Sequence, residues 1–169
     1  MTFESVVDHL RKQHFAVLAT SGADGIPHAA GVNYGVSGPG RDFVIYVMTR
    51  RHLLKARNIA QNPKVSMVVP LPRRLLWFVP PPTIQLRGVA EILDWSDEEG
   101  TEVFSNFWMG RRILKGYKEF ERRGETRICF LRITPDPVIN TYMVGASIWQ
   151  VRKRMEAGAA KVVDPRGHG

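Results

Sequence analysis

The sequence predicts a mainly β protein with flanking helices, built as a small antiparallel barrel of Greek-key type. Three observations predict it. Hairpin-connected strands follow the leading helix, one helix is inserted among the strands near residue 51, and the regular strand–helix alternation of a doubly wound sheet is missing. A length of 169 residues, with 44% hydrophobic and 24% charged side chains, suits one domain able to bury a core. We expect residues 1–147 to form the barrel domain and residues 148–169 a C-terminal helix or arm with a flexible tail.

Taken in order, residues 2–13 set Phe3, Val6, Val7 and Leu10 at helical spacing, an amphipathic leading helix. Residues 15–20 (FAVLAT) read as a compact apolar strand, stopped by the turn Ser21-Gly-Ala-Asp-Gly25. A second strand is expected over residues 27–36, a hairpin at Ser37-Gly-Pro-Gly40, and a third strand over 42–49. Leu53, Ala56 and Ala60 then share a helical face over 51–61, and Asn62-Pro63 ends that helix. Strands follow at 64–71 and 83–93, where Gly88 suggests a bulge or a close backbone approach. The proline-rich connection 70–82 carries Trp77 and Phe78, expected to cover a site or to meet a second copy.

Ser96-Asp-Glu-Glu99 has the form of a capping box. The helix it opens carries Val103, Phe104, Phe107 and Trp108 on one face, with Gly110 expected to interrupt it before a second helix bearing Ile113, Leu114, Tyr117 and Phe120. Two final strands are read at 127–134 and 138–144, a terminal helix at 148–160 and a frayed end from 161.

The composition excludes several chemistries. One cysteine, Cys129, cannot build a disulfide framework or a multi-thiolate metal centre within one chain, and in an apolar strand it reads as a small buried hydrophobe. The five histidines lack zinc-site spacing, so no metal ligands are assigned. No glycine-rich phosphate loop and no nucleophile elbow occur. The side chains offer no catalytic set, so any reaction would rest on a bound cofactor. With no signal-like segment in residues 1–12 and no apolar run of membrane-spanning length, a cytoplasmic location without membrane contact is expected.

Charge is the remaining signal. The net charge is +8, and from Arg50 to Arg74 seven cations occur without an acidic residue. Such a local excess favours an anionic ligand. Residues 111–132 form a second basic stretch, offset in part by Glu119, Glu121 and Glu125, which reads as a solvated helix face; aromatic and arginine residues interleave too weakly there to expect a nucleic-acid partner. In the first stretch a strand ends at Met48-Thr49-Arg50 and leads into a helix bearing Lys55 and Arg57. The N–H groups of a first helical turn suit a phosphate, and Thr49, Arg50, Arg51 and Lys55 can add hydrogen bonds to it.

The ordered set Phe15–Thr20, Asp24-Gly-Ile-Pro27, Tyr46-Val-Met-Thr49, Lys55-Ala-Arg-Asn-Ile59, Asn62-Pro-Lys-Val65 and Leu86-Arg-Gly-Val-Ala-Glu91 resembles the FMN-binding split-barrel family typified by pyridoxamine 5′-phosphate oxidase. The resemblance implies a six-stranded split barrel, a homodimer with two cofactor sites at the subunit interface, and a flavin-dependent oxidoreductase acting on a small organic molecule. It implies that Lys55 is the phosphate-binding lysine and Thr49 the polar residue ending the preceding strand. It also implies that Val32 and Asn33 flank the flavin ring, that Met48 lies beside it, and that Thr83 stands where oxidases often place a glutamine. Two departures stand out. Leu54 replaces an arginine before the lysine, leaving its phosphate contact to Arg50, Arg51 or Arg57, and the C-terminal substrate motif of the vitamin B6 oxidases is not found after Trp149. The run Lys55-Ala-Arg-Asn58 instead resembles the branch that uses the deazaflavin coenzyme F420, so FMN and the deazaflavin both stand as cofactors, beside a non-catalytic cofactor-binding role.

Overall fold

The computed structural model describes residues 2–72, 81–144 and 158–165. Among these residues the chain runs α1 (Phe3–Lys12), β1 (Phe15–Ser21), β2 (Pro27–Val36), β3 (Ile45–Arg50), α2 (Leu54–Gln61), β4 (Lys64–Pro70), β5 (Thr83–Asp94), α3 (Glu98–Ser105), α4 (Trp108–Arg122), β6 (Ile128–Pro135), β7 (Val138–Tyr142) and β8 (Ala159–Val163). Six strands, in the antiparallel order β4-β1-β2-β3-β6-β5, close into a barrel because β4 also pairs with β5. The start of β5, Thr83–Gln85, instead pairs with β7, and β8 adds to β7 outside the barrel.

Alternation along the strands sets the two sides of the barrel wall. Leu18, Tyr34, Ile45, Val47, Met67, Leu86, Leu131 and Ile133 fill its interior and are all but fully buried. α1 lays Val6 and Leu10 on the same core, and the Tyr34 hydroxyl donates to the Leu10 carbonyl at 2.9 Å. A second core lies outside the wall, where Tyr46, Met48 and Phe130 meet Val103, Phe104 and Leu114 of α3 and α4.

Gly88 makes the close backbone approach its sequence position suggested. A Cβ there would stand 2.3 Å from the Thr134 carbonyl oxygen and 2.9 Å from Pro135 Cα, both backbone atoms that cannot turn away. Gly88→Ala is therefore expected to lose about 1–3 kcal/mol of stability by overpacking, read as a lower urea midpoint at unchanged slope.

Three local expectations are corrected. Ser96 does not cap α3: its N–H and hydroxyl both bind Asp94 Oδ1, at 3.0 and 2.9 Å, and Asp97 caps instead by accepting from Gly100 N–H at 2.7 Å. Glu99 does not reach back to the cap because the buried Tyr46 hydroxyl donates to it at 2.6 Å. Gly110 does not interrupt a helix either. The break comes earlier, at Asn106 and Phe107, and Gly110 sits in the first turn of α4, where a Cβ would stand 2.1 Å from the Phe104 carbonyl oxygen. Finally, Ala159–Val163 is a strand where a helix end and a fraying tail were expected, since β7 offers an open edge and Val162 packs into the barrel core. The rest of the expected terminal helix, and Trp77 and Phe78, lie outside the described residues.

Candidate functional site

Four of the expected site residues, Val32, Asn33, Met48 and Thr49, lie together where the barrel wall opens. β2 and β3 pair only over Tyr34–Val36 and Ile45–Val47. Continuing that register would set Asn33 against Met48 and Val32 against Thr49, but the strands part there: β2 stays with β1 and β3 with β6. Val32, Asn33, Met48 and Thr49 thus share one level at the mouth of a split between two strands. Their side chains divide. Val32 points into the barrel core and Met48 into the outer core, whereas Asn33 is exposed. Any contact of Val32 with a ligand at the split would therefore use its backbone.

Thr49 lies opposite Cys129 and is buried, yet its Oγ1 has no hydrogen-bond partner. A buried hydroxyl without a partner carries a desolvation penalty of about 1–3 kcal/mol, so the atom stands in want of an acceptor or donor. The chain then turns through Arg51, whose N–H donates to the Arg127 carbonyl at 2.7 Å, into α2. α2 begins without a side-chain cap and without an acidic residue in its first turn, which leaves the positive end of its dipole uncompensated.

Lys55 stands in that first turn, partly buried; desolvation pulls its pKa below the ordinary lysine value. Among the described residues it has no ion-pair partner. The Cys129 thiol, close enough to Lys55 and Arg51 to feel their charges, is pushed up to about 11 by burial and is neutral at physiological pH. Arg51 reaches Asp94 at 3.7 Å on the surface, and Arg57 is exposed on the flank of α2.

Two expected residues are placed apart from this group. Arg50 alternates to the outer side of β3, where its guanidinium lies over the rings of Tyr117 (5.5 Å) and Phe120 (5.0 Å), with Nε 3.6 Å from Glu125. Glu125 is itself held down at about 2, chiefly by Arg127, which donates two side-chain hydrogen bonds of 2.8 Å to it. Thr83 opens β5, opposite Pro70 and Tyr142. The far end of β5, Asp94, is the one that meets Cys129 beside Thr49, on the order of 35 Å along the strand.

Sequence reading missed the clamp of Tyr117, Phe120 and Glu125 on Arg50, and the place of Cys129 opposite Thr49. Both depend on pairings between distant segments. Residues 128–131, Ile-Cys-Phe-Leu, are apolar and buried throughout, so they carry no local sign of which side Cys129 faces.

The model of the pyridoxamine 5′-phosphate oxidase family matches residues 3–142. This chain belongs to that family. Among solved structures it resembles HutZ, the heme storage protein from Vibrio cholerae, at 20% identity and TM-score 0.61, covering 82% of this chain and 94% of that one. The heme binding protein from Mycobacterium smegmatis matches at 17% identity and TM-score 0.66, over 92% of this chain but only 55% of its own length. General Stress Protein 26 from Bacillus anthracis matches at 25% identity and TM-score 0.53, over 82% and 91%. No curated protein sequence matches. Within the family frame, Leu54 is a half-exposed apolar side chain in the first turn of α2, so the position before Lys55 supplies no second cation.

Proposed function

We propose that this chain is a cofactor-dependent oxidoreductase that holds FMN, or the deazaflavin F420 in its place, at the split between β2 and β3. The observation that carries this reading is the buried, partnerless Thr49 hydroxyl beside the uncapped start of α2. These groups fit a phosphate. The first-turn N–H groups of α2 and the Thr49 hydroxyl would donate to its oxygens, and Lys55, half-desolvated and without a counter-ion, would gain one. Arg51 and Arg57 would add charge from the rim. The backbone of Val32 and Asn33 and the Met48 segment would border the ring.

When bound, such a ring supplies hydride transfer to or from a small organic substrate. The protein's part is to orient the ring, to exclude water and to compensate the phosphate charge. Cys129, kept as a neutral thiol, supplies no nucleophile. Thr83 lies at the far end of β5 from Thr49, so its participation requires a second copy of the chain, which favours a homodimeric site.

A second reading, heme binding, is favoured by two of the similar structures being heme proteins. One titration separates the two. Purified protein is titrated with FMN, riboflavin, F420 and hemin, followed by absorbance and by light scattering for the dimer. FMN or F420 is expected to bind, with FMN at least tenfold tighter than riboflavin because only FMN carries the phosphate. Equal affinity for riboflavin and FMN with no binding of F420 would overturn the phosphate site, and a Soret band with hemin alone would establish the heme reading instead.

A further inference from the structure

α4 presents a second cationic surface, remote from Thr49 in its chemistry and independent of the cofactor reading. In sequence its five cations, Arg111, Arg112, Lys115, Lys118 and Arg122, read as a solvated face offset in part by Glu119 and Glu121. The helix sorts them, because residues three, four and seven apart share a face. Trp108, Arg112, Lys115, Lys118 and Arg122 line one open groove of about 780 Å³. Glu121 lies nine residues from Arg112, half a turn away on the other side, and Glu125 is drawn off to Arg127 and Arg50. Glu119 is the one carboxylate among the described residues of the groove, and Arg123 (3.0 Å) and Arg122 (3.7 Å) hold it. Arg112, Lys115 and Lys118 have no ion-pair partner among the described residues. Trp108 is 59% exposed, an unusual place for so large an apolar ring, and the Arg112 guanidinium lies 5.1 Å from its centroid.

We propose that this face of α4 binds single-stranded nucleic acid, with Trp108 stacking a base and Arg112, Lys115, Lys118 and Arg122 following the phosphates. The chemistry favours this partner. Four cations spread over about 15 Å of helix match a linear polyanion rather than one compact anion. An exposed indole with a cation on one side offers its other face to a base. A membrane surface is the weaker match, because Leu114, Ile113 and Tyr117 pack on the outer core and leave only the part-exposed Met109 and Phe120 beside Trp108, too narrow an apolar strip for an interfacial helix to insert.

The test is fluorescence anisotropy of labelled 12-nucleotide DNA and RNA strands with the whole protein, alongside polyglutamate and vesicles containing phosphatidylserine. Binding of the strands is expected to weaken about 50-fold between 50 and 200 mM salt, from four phosphate contacts at a single-strand slope near 0.7 each. Lys115→Ala with Lys118→Ala should lower that slope by about 1.4. Trp108→Ala should weaken binding about five- to 150-fold at an unchanged slope, and the indole fluorescence of the parent should be quenched on binding. All three side chains are solvent-facing, and circular dichroism checks that the fold is kept; Lys115→Glu is the single-site alternative. No binding at 50 mM salt, equal binding of polyglutamate, preference for the vesicles, or insensitivity to Trp108→Ala would each overturn the proposal.

Discussion

Phe130→Ala is expected to remove about 3–5 kcal/mol of stability, the cost of emptying a fully buried aromatic site. Phe130 is 0% exposed and sits where the barrel wall meets the helices. Its ring packs edge-on to Tyr46 at 6.2 Å, against Trp95 at 6.0 Å and against Phe104 at 5.9 Å. A Cβ placed on Gly100 would stand 3.0 Å from it, so α3 has been brought as close as the backbone allows. The neighbours are held by their own bonds, Tyr46 through Glu99 among them, and can collapse little into the space left behind. For a chain of this length the loss corresponds to a melting point roughly 6–20 °C lower. Differential scanning calorimetry of parent and variant checks it. A loss below 1 kcal/mol would mean that α3 and α4 do not share a core with β3 and β6.

That outer core also shows what the sequence could and could not disclose. Period alone located the strands and helices, because each carries its buried side chains at the spacing its geometry demands. β2 was read to the residue, and β1, β4 and β5 to within one. The inner core followed from the same alternation. The second core did not, since Tyr46 and Met48 alternate with Ile45 and Val47 and look in sequence like one continuous buried strand. Only the pairing of Met48 with Phe130 reveals two sides, both apolar. The candidate site divides in the same way. Thr49 and Lys55 were legible because a strand end and a helix start are local features. The place of Arg50 was not, because its side chain answers to Glu125 and two aromatic rings some 70 residues further on, and a stretch of cations with no acid among them gives no sign of which will be drawn away. The β8 strand was hidden for another reason: five residues, Ala-Ala-Lys-Val-Val, carry too little pattern to outweigh the helical composition before them, and β7's open edge decides the matter.

Thr49→Val should act in opposite directions on the empty and the loaded protein. Valine keeps the β-branched shape that the strand position accepts and removes only the hydroxyl. Because that hydroxyl is buried and has no partner, its loss relieves a desolvation penalty, and the cofactor-free protein is expected to gain about 1–3 kcal/mol of stability. Loaded protein loses a hydrogen bond to a charged phosphate, a contact of about 1.5–3 kcal/mol, so FMN or F420 affinity should fall roughly ten- to 150-fold. Riboflavin, without the phosphate, should bind both proteins alike. A hydroxyl that merely filled the core would give a different pattern, since its removal would leave every cofactor's affinity unchanged. One that bonded within the protein would instead make the variant less stable when empty. Urea denaturation without cofactor and a paired FMN and riboflavin titration therefore separate a phosphate ligand from a structural threonine, and the two signs must both hold for the site at the β2–β3 split to stand. Lys55→Ala supplies the comparison: it also removes a phosphate contact and should weaken FMN, but the empty protein's gain should stay at or below about 1 kcal/mol, from a cation leaving the positive end of α2 and from alanine's helix propensity.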